Sequence, residues 1–302
     1  VHLRRGTVNL RLVGWLCSTS AQRDAQGQIL GNPEVHVLVS GATYDHNYWD
    51  WPNFGGQYSY VEAALTSGFV TFAYDRLGTG ESEFPPGEDI SLAGEGYVLE
   101  QVVNGLRNGQ GFAVHAGRVI VLGHSLGAGI AIYHAATYNN VDAVVVTGML
   151  HEVNPAQSQF IQGSFYPADQ DPKFAAAQLP SNTYLTTQPN TRGQAFYNLL
   201  DVEPPVVQQD EQLKSTLAVG MRPALVAMRD PALSQAIQVP TLVVTGEKDS
   251  LWCSETLRCD PQSILNRELP TYNQGICLNF LVVSTAGHDI NLHYNAAAFF
   301  WN

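Results

Sequence analysis

Lysine is almost missing from this chain of 302 residues: Lys173, Lys214 and Lys248 are the only three. Lys and Arg together number 15 against 27 Asp and Glu, a formal net charge of −12. A phosphate backbone is repelled by such an average surface, so nucleic acid is excluded as an expected partner. Long apolar runs are missing as well. The longest are strand-sized, such as Val119 to Leu122 and Ala143 to Val146, far from the roughly 20 residues a membrane span needs. There is no N-x-[ST] sequon and no G-x-x-x-x-G-K-[ST] phosphate loop, which removes P-loop nucleotide binding. Cysteine is scarce, with Cys17, Cys253, Cys259 and Cys277 alone. No two of them stand in C-x2-4-C spacing, so a zinc site is not expected and no metal or other cofactor is called for.

What the chain does have is apolar content of 45% with 27 Gly and 16 Pro, too hydrophobic for disorder and too punctuated for a coiled coil. Its length suits one large domain with an insertion. The even cysteine count reads as structural disulfides. Together with the scarcity of lysine and a first residue, Val1, that is not an initiator methionine, it leads us to expect a processed, secreted protein. Nothing in the sequence speaks to oligomeric state.

Short β-branched runs recur, each closed by a turn residue: Val8 to Cys17, Val35 to Ser40, Phe69 to Tyr74, Arg118 to Gly123, Asp142 to Gly148, Thr241 to Gly246 and Leu278 to Ser284. Helical patterns separate them at Gln57 to Thr66, Glu95 to Arg107, Ser125 to Tyr138 and Asn291 to Trp301. This alternation predicts an α/β fold with a mostly parallel, twisted sheet and helices on both faces. It stops after Met149 and resumes at Val239. We therefore expect a core made of residues 1–149 and 239–302 and a helical cap at 150–238, with helices at Asp171 to Gln178, Arg192 to Leu200 and Glu211 to Val219.

The chemistry is written at Val119-Ile-Val-Leu-Gly123-His124-Ser125-Leu126-Gly127-Ala-Gly129, a strand, then G-x-S-x-G, then a helix start. Composition alone gives roughly 0.13 chance matches to that pattern in such a chain, so the flanking strand and helix carry the inference. A turn this tight admits no Cβ two residues either side of the serine, and it exposes Oγ at a helix N-terminus able to stabilise an oxyanion.

From Val35 to the C-terminus the chain resembles the α/β-hydrolase family, and within it esterase- and lipase-like serine hydrolases with a helical cap. The resemblance implies a triad in the order nucleophile, acid, histidine. Ser125 is then the nucleophile, Asp249 the acid after Thr241 to Gly246, and His288 the base after the last strand. Glu247 and Asp289 are stand-ins for the acid, and His293 and His151 are rivals for the base. The oxyanion hole implied is the N–H of Leu126 and that of Ala42, with Thr43 next in line, in Ser40-Gly-Ala-Thr-Tyr-Asp-His46. Ser40 stands where relatives often carry His. The ring cluster Tyr44, Tyr48, Trp49, Trp51 and Phe54 follows. Tyr44, Trp49, His124 and His151 are candidate pocket residues. Asp75-Arg-Leu-Gly78-Thr-Gly80-Glu-Ser82 resembles a structural turn of the family.

The implied activity is hydrolysis of a carboxylic ester or lactone of a hydrophobic small molecule without a cofactor. Alternatives are other chemistry on the fold, such as a cyclase, C–C hydrolase or lyase, and a catalytically silent binding protein. For the cysteines, a short loop after Asp249 allows a Cys253–Cys259 bridge, and Cys17–Cys277 is the remaining pair.

Overall fold

The computed structural model describes residues 2–3, 6–7 and 9–300, with side chains from residue 9 onward. Seven strands form the main sheet: β1 (Val13–Cys17), β2 (Glu34–Val39), β3 (Val70–Asp75), β4 (Arg118–His124), β5 (Ala143–Thr147), β6 (Thr241–Gly246) and β7 (Leu278–Val283). Their order is β7-β6-β5-β4-β2-β3-β1, with β1 antiparallel and every other pairing parallel. All seven expected strands are present, with the first shorter at its start. Val8, where we began it, lies outside the described residues.

Alternation along the strands sorts the core into two layers. Leu38, Ile120 and Leu122 face the ring cluster of residues 44–60, which leads into α1 (Tyr60–Thr66), while Val35, Val37, Val39, Val119 and Val121 face helices α2 (Leu92–Asn108) and α3 (Leu126–Tyr138). Helix α2 is punctuated as its sequence dictates: the Ser91 hydroxyl accepts from the Gly94 N–H at 3.2 Å, and Gly109 ends it at φ 65°. Helix α3 is apolar nearly all round and buries Leu126, Ile130, Ala131 and Ile132 between the sheet and α2.

The pairing register brings the carboxyl ends of the strands to one edge: Val39 opposes Gly123, His124 opposes Thr147, and Gly246 opposes Val283. Loops leaving β2, β4, β6 and β7 therefore converge where the strand order reverses, the place where open α/β sheets hold ligands.

Between β5 and β6 the chain leaves the sheet. This insertion contains α4 (Pro155–Ser164), α5 (Arg192–Phe196), α6 (Pro204–Leu213) and single helical turns at Ala224–Ala227 and Pro231–Gln235. It is not purely helical. Phe165–Pro167, Tyr184–Thr187 and Leu217–Ala218 form a three-stranded antiparallel sheet. Tyr184-Leu-Thr-Thr187 is β-favouring and buried at three of four positions. The helix expected to run from Glu211 to Val219 stops at Leu213, because Lys214 turns extended and plunges its ammonium toward Asp171 at 2.6 Å and the Thr187 carbonyl at 2.9 Å. Asp171 to Gln178 holds a 3-10 helix (Pro172–Ala177), and the helix from Arg192 ends at Phe196. The C-terminal pattern is likewise broken into Ile290–Leu292 and Ala296–Phe300, and Trp301 lies outside the described residues.

Cys253 and Cys259 are disulfide-bonded, but Cys17 and Cys277 are free. The expected second bridge fails on topology. Cys17 ends β1 at one edge of the sheet and Cys277 precedes β7 at the other. Six strand spacings are about 29 Å, against a Cα limit of about 7 Å for a disulfide.

Candidate active site

Ser125 sits between β4 and α3 at φ 52°, ψ −115°, a region L-residues avoid. Its N–H is tied to the Thr147 carbonyl at 2.8 Å and its own carbonyl accepts from Gly129 at 3.1 Å, which fixes the turn from both sides. The glycines are sterically required. A Cβ on Gly123 would lie 2.3 Å from the Gly127 carbonyl oxygen, and one on Gly127 would lie 2.2 Å from that of Val39.

His288 Nε2 lies 3.0 Å from Ser125 Oγ, and His288 Nδ1 lies 2.9 Å from Asp249 Oδ2. Asp249 is fully buried, and its other oxygen accepts from the Leu251 N–H at 3.1 Å. The three residues named from the sequence are thus brought into one hydrogen-bonded line. Burial is the largest influence on the His288 pKa and pulls it down. The charge and hydrogen bond of Asp249, with the charge of Asp289 behind, outweigh it, so the pKa stands above 6.5.

The other candidates hold structural positions. Glu247 accepts from Ser284 Oγ and the Thr285 N–H, both at 3.1 Å, joining the ends of β6 and β7. His293 Nε2 accepts from the N–H groups of Asn198 and Gly287, both at 3.0 Å, and Nδ1 donates to the Asp289 carbonyl at 2.8 Å; it braces the loop that carries His288. His151 does not reach the cleft. Its Nδ1 meets Glu268 Oε2 at 2.7 Å and its Nε2 meets Ser234 Oγ at 2.8 Å. Trp49 is fully buried edge-on against Tyr48 and Tyr60, away from the cleft. Both expected pocket roles are corrected: His151 is held by Glu268 and Ser234 and Trp49 by Tyr48 and Tyr60, and neither lines the cleft.

The N–H groups of Ala42 and Leu126 find no hydrogen-bond acceptor among the described residues, and both residues stand beside Ser125. That is the arrangement an oxyanion hole needs. Thr43 sits in the left-handed region at φ 61° with its hydroxyl turned inward, accepting from Arg192 Nη1 at 2.9 Å and bonding the Ala42 carbonyl at 2.6 Å. It steadies the loop and does not line the cleft.

Behind this loop lies a buried network that the sequence reading missed. Tyr44 OH donates to Asp289 Oδ2 and lies 2.9 Å from Asp210 Oδ2; Arg192 Nε pairs with Asp210 at 2.7 Å, and its guanidinium lies 4.2 Å from the Tyr44 ring centre. His124 Nε2 lies 3.2 Å from Asp289 Oδ1, and its ring stacks on Tyr48. Burial, partly offset by His288, Tyr44 and Arg192, raises the Asp289 pKa to about 6. Burial and then the His288 charge push His124 well down, so it stays neutral. Arg192 and Asp210 belong to the insertion and are 18 residues apart, and no local sequence pattern marks the pair.

A cleft opens over Ser125 and His288. Its walls are largely apolar, with Val153, Ile161, Phe165 and Phe196 from the insertion and Leu251 and Trp252 from the acid loop; Ser158, Gln162, Arg222 and Arg229 are also present. Trp252 Nε1 donates to the Gly148 carbonyl at 2.8 Å, fixing that wall. Among the described residues, Asp45, His46 and Asp75 alone group metal-capable atoms. They are already hydrogen-bonded: His46 Nδ1 to Asp75 Oδ1 at 2.8 Å, Asp45 Oδ1 to Asn47 Nδ2 at 2.8 Å. No described helix is long and apolar enough to cross a membrane.

Comparison with curated proteins yields no match. Among solved structures, an esterase from Exiguobacterium antarcticum superposes at TM-score 0.62 with 17% identity, covering 100% of this chain and 96% of that one. An enol-lactonase from Burkholderia xenovorans LB400 gives TM-score 0.60, 15% identity and coverage of 97% and 94%. A monoacylglycerol lipase from Paleococcus ferrophilus gives 0.58, 16%, and 97% and 98%. These likenesses establish the fold. Residues 37–300 match the alpha/beta hydrolase family, and the chain belongs to that family.

Proposed function

We propose that the protein is a serine hydrolase that cleaves carboxylic esters or lactones of hydrophobic small molecules through an acyl-enzyme on Ser125. The observation that carries this reading is the line from Asp249 through His288 to Ser125 Oγ, with bonds of 2.9 and 3.0 Å, ending in a largely apolar cleft. His288 takes the hydroxyl proton as Oγ attacks the carbonyl carbon, and Asp249 stabilises the imidazolium. The N–H groups of Ala42 and Leu126 receive the negative charge on the carbonyl oxygen. His288 then protonates the departing alcohol, afterwards draws a proton from the water that attacks the acyl carbon, and returns it to Ser125 Oγ as the acid leaves. The insertion, acting as a cap, supplies the apolar walls, and the Cys253–Cys259 bridge is consistent with an oxidising, extracellular setting.

The test is covalent labelling with a fluorophosphonate, with the modified peptide mapped, alongside turnover of 4-nitrophenyl esters of graded chain length. Labelling at Ser125 and turnover that improves with acyl length support the reading. An unlabelled Ser125, or labelling without turnover of any ester, overturns it.

A further inference from the structure

The chain as a whole carries 27 acidic against 15 basic residues, yet the side chains lining the cleft include Arg222 and Arg229 and not a single Asp or Glu. The local sequence shows how this comes about. Backbone from the 3-10 turn Val219–Met221 through Arg222, Pro223, Ala224–Ala227 and Met228 is helical. Arg222, Leu225, Val226 and Arg229 stand at i, i+3, i+4 and i+7, one face of that segment, and all four line the cleft. The stripe has an apolar middle and a cation at each end. Seven residues span about 10 Å of helix, a distance two arginine side chains can close on one anion.

Neither guanidinium is spent on a carboxylate. Arg229 Nε reaches only the Leu225 carbonyl at 3.4 Å, and the Arg222 side chain has no hydrogen-bond or ion-pair partner among the described residues. The neighbouring Asp230 is engaged elsewhere, its Oδ1 accepting from the Ala232 N–H at 3.0 Å. Arg192 and Lys214, cations of the same insertion, have Asp210 and Asp171 at 2.7 and 2.6 Å. Arg222 and Val226 are exposed and Arg229 half-buried, so the stripe lies on the solvent side of the cleft, where two arginines without a carboxylate partner among the described residues leave positive charge for an anion; the planar fork of Arg suits a carboxylate.

We infer that the substrate is an ester whose chain ends in a carboxylate, held by Arg222 and Arg229 while Leu225 and Val226 cover the methylenes and the scissile carbonyl lies at Ser125. The inference rests on the ester-hydrolase reading for its reaction but not for its binding. It is tested with a matched pair, 4-nitrophenyl hemiglutarate and 4-nitrophenyl valerate, on wild type and the Arg222→Gln/Arg229→Gln variant. The ratio of kcat/KM, anionic over neutral ester, should fall about 10- to 100-fold in the variant, as expected for losing charge-assisted hydrogen bonds, mainly through KM. Arg222→Lys/Arg229→Lys should recover part of it, and about 1 M salt should shrink the wild-type ratio. A ratio that stays within about twofold in the Gln variant overturns the inference, whatever the absolute rates. If wild type turns over neither ester, the ester reading fails by itself. Calorimetric binding of monobutyl glutarate to Ser125→Ala, with and without the two Gln changes, then decides: an affinity drop of about tenfold or more supports the anion site, and equal binding or none overturns it.

Discussion

The main sheet and the insertion are held by different forces, and the active site is built where they meet. In the sheet, stability comes from repetition: Val35, Val37 and Val39 on one face, Leu38 on the other, each burial contributing roughly 1.5–3 kcal/mol. The insertion has few such periodic stretches. It is fastened by singular contacts, such as Arg192 with Asp210, Lys214 with Asp171, and Asn154 Nδ2 on the Ser250 carbonyl at 2.9 Å. On the proposed reading, chemistry sits on the repetitive part and selectivity on the singular part.

The largest expected effect breaks the chemistry while leaving the sheet whole. Ser125→Ala should lower kcat on an activated ester by about 10³-fold or more without changing the unfolding midpoint, since only the oxyanion hole and binding remain. Asp249→Asn and His288→Ala should each be severe, with the three losses far from additive. Near-wild-type turnover in Ser125→Ala refutes the mechanism, and a tolerant Asp249→Asn beside a crippled Glu247 or Asp289 variant moves the acid.

That contrast also explains what was legible beforehand. Short β-branched runs closed by turn residues announce every main strand, and the elbow around Ser125 with the strand-end positions of Asp249 and His288 announces the hydrogen-bonded line of those three residues, because each is a local pattern tied to a repetitive element. His151 was misplaced because a partner 117 residues away, Glu268, leaves no local trace, and Trp49 because a ring cluster serves equally well to line a pocket or to pack on itself, as Trp49 does against Tyr48 and Tyr60. The Cys17–Cys277 pairing required the sheet to bring its first strand near the start of its last, and the strand order puts the two at opposite edges. The insertion's small sheet escapes the sequence, with Leu217–Ala218 falling inside an expected helix, because strands of two to four residues are too short to show a period.

The singular fastenings can be broken next. Arg192 and Asp210 have fully buried side chains, so Arg192→Met should cost about 3–5 kcal/mol, the penalty for stranding a buried charge. The part-exposed pair of Arg107 on α2 with Asp142 before β5, 27% and 35% exposed, should yield under about 1 kcal/mol on the same truncation. Urea unfolding of both variants measures the contrast, and equal losses would erase it. Because Arg192 also bonds Thr43 in the oxyanion loop, its loss should lower kcat more than it raises KM.

A smaller effect comes from the Cys253–Cys259 bridge, which closes the acid loop over a sequence separation of 6. Replacing both cysteines by Ala should cost about 2–3 kcal/mol by the loop-entropy relation. Non-reducing peptide mapping should recover that linked pair while Cys17 and Cys277 alkylate without reductant, Cys277 faster because it is exposed. Four alkylated thiols would remove the bridge and the argument for an oxidising compartment.

The smallest effect is a displacement of the pH profile, and it reads both regions at once through His288. The base must be neutral to accept the serine proton, so activity rises with pH as His288 loses its own proton. Burial draws its pKa down, but Asp249 on the sheet side, and then Asp289, which is bonded into the insertion's network, draw it up past 6.5. The acid limb of kcat/KM should therefore lie above that value. Both carboxylates favour the protonated imidazole, so neutralising either must move the limb to lower pH. Asp249→Asn should move it further than Asp289→Asn, because Asp249 contributes both charge and a direct hydrogen bond. Asp289 itself is ionised only above about 6, so its pull fades at the foot of the limb and the Asp289→Asn profile should differ from wild type chiefly near the top. The residual rate, or the NMR titration of the imidazole, gives both shifts. A wild-type profile flat from about pH 5 to 8 would discard His288 as the base, and a larger shift for Asp289→Asn would make the insertion's network, not the sheet's carboxylate, the partner that sets its proton affinity.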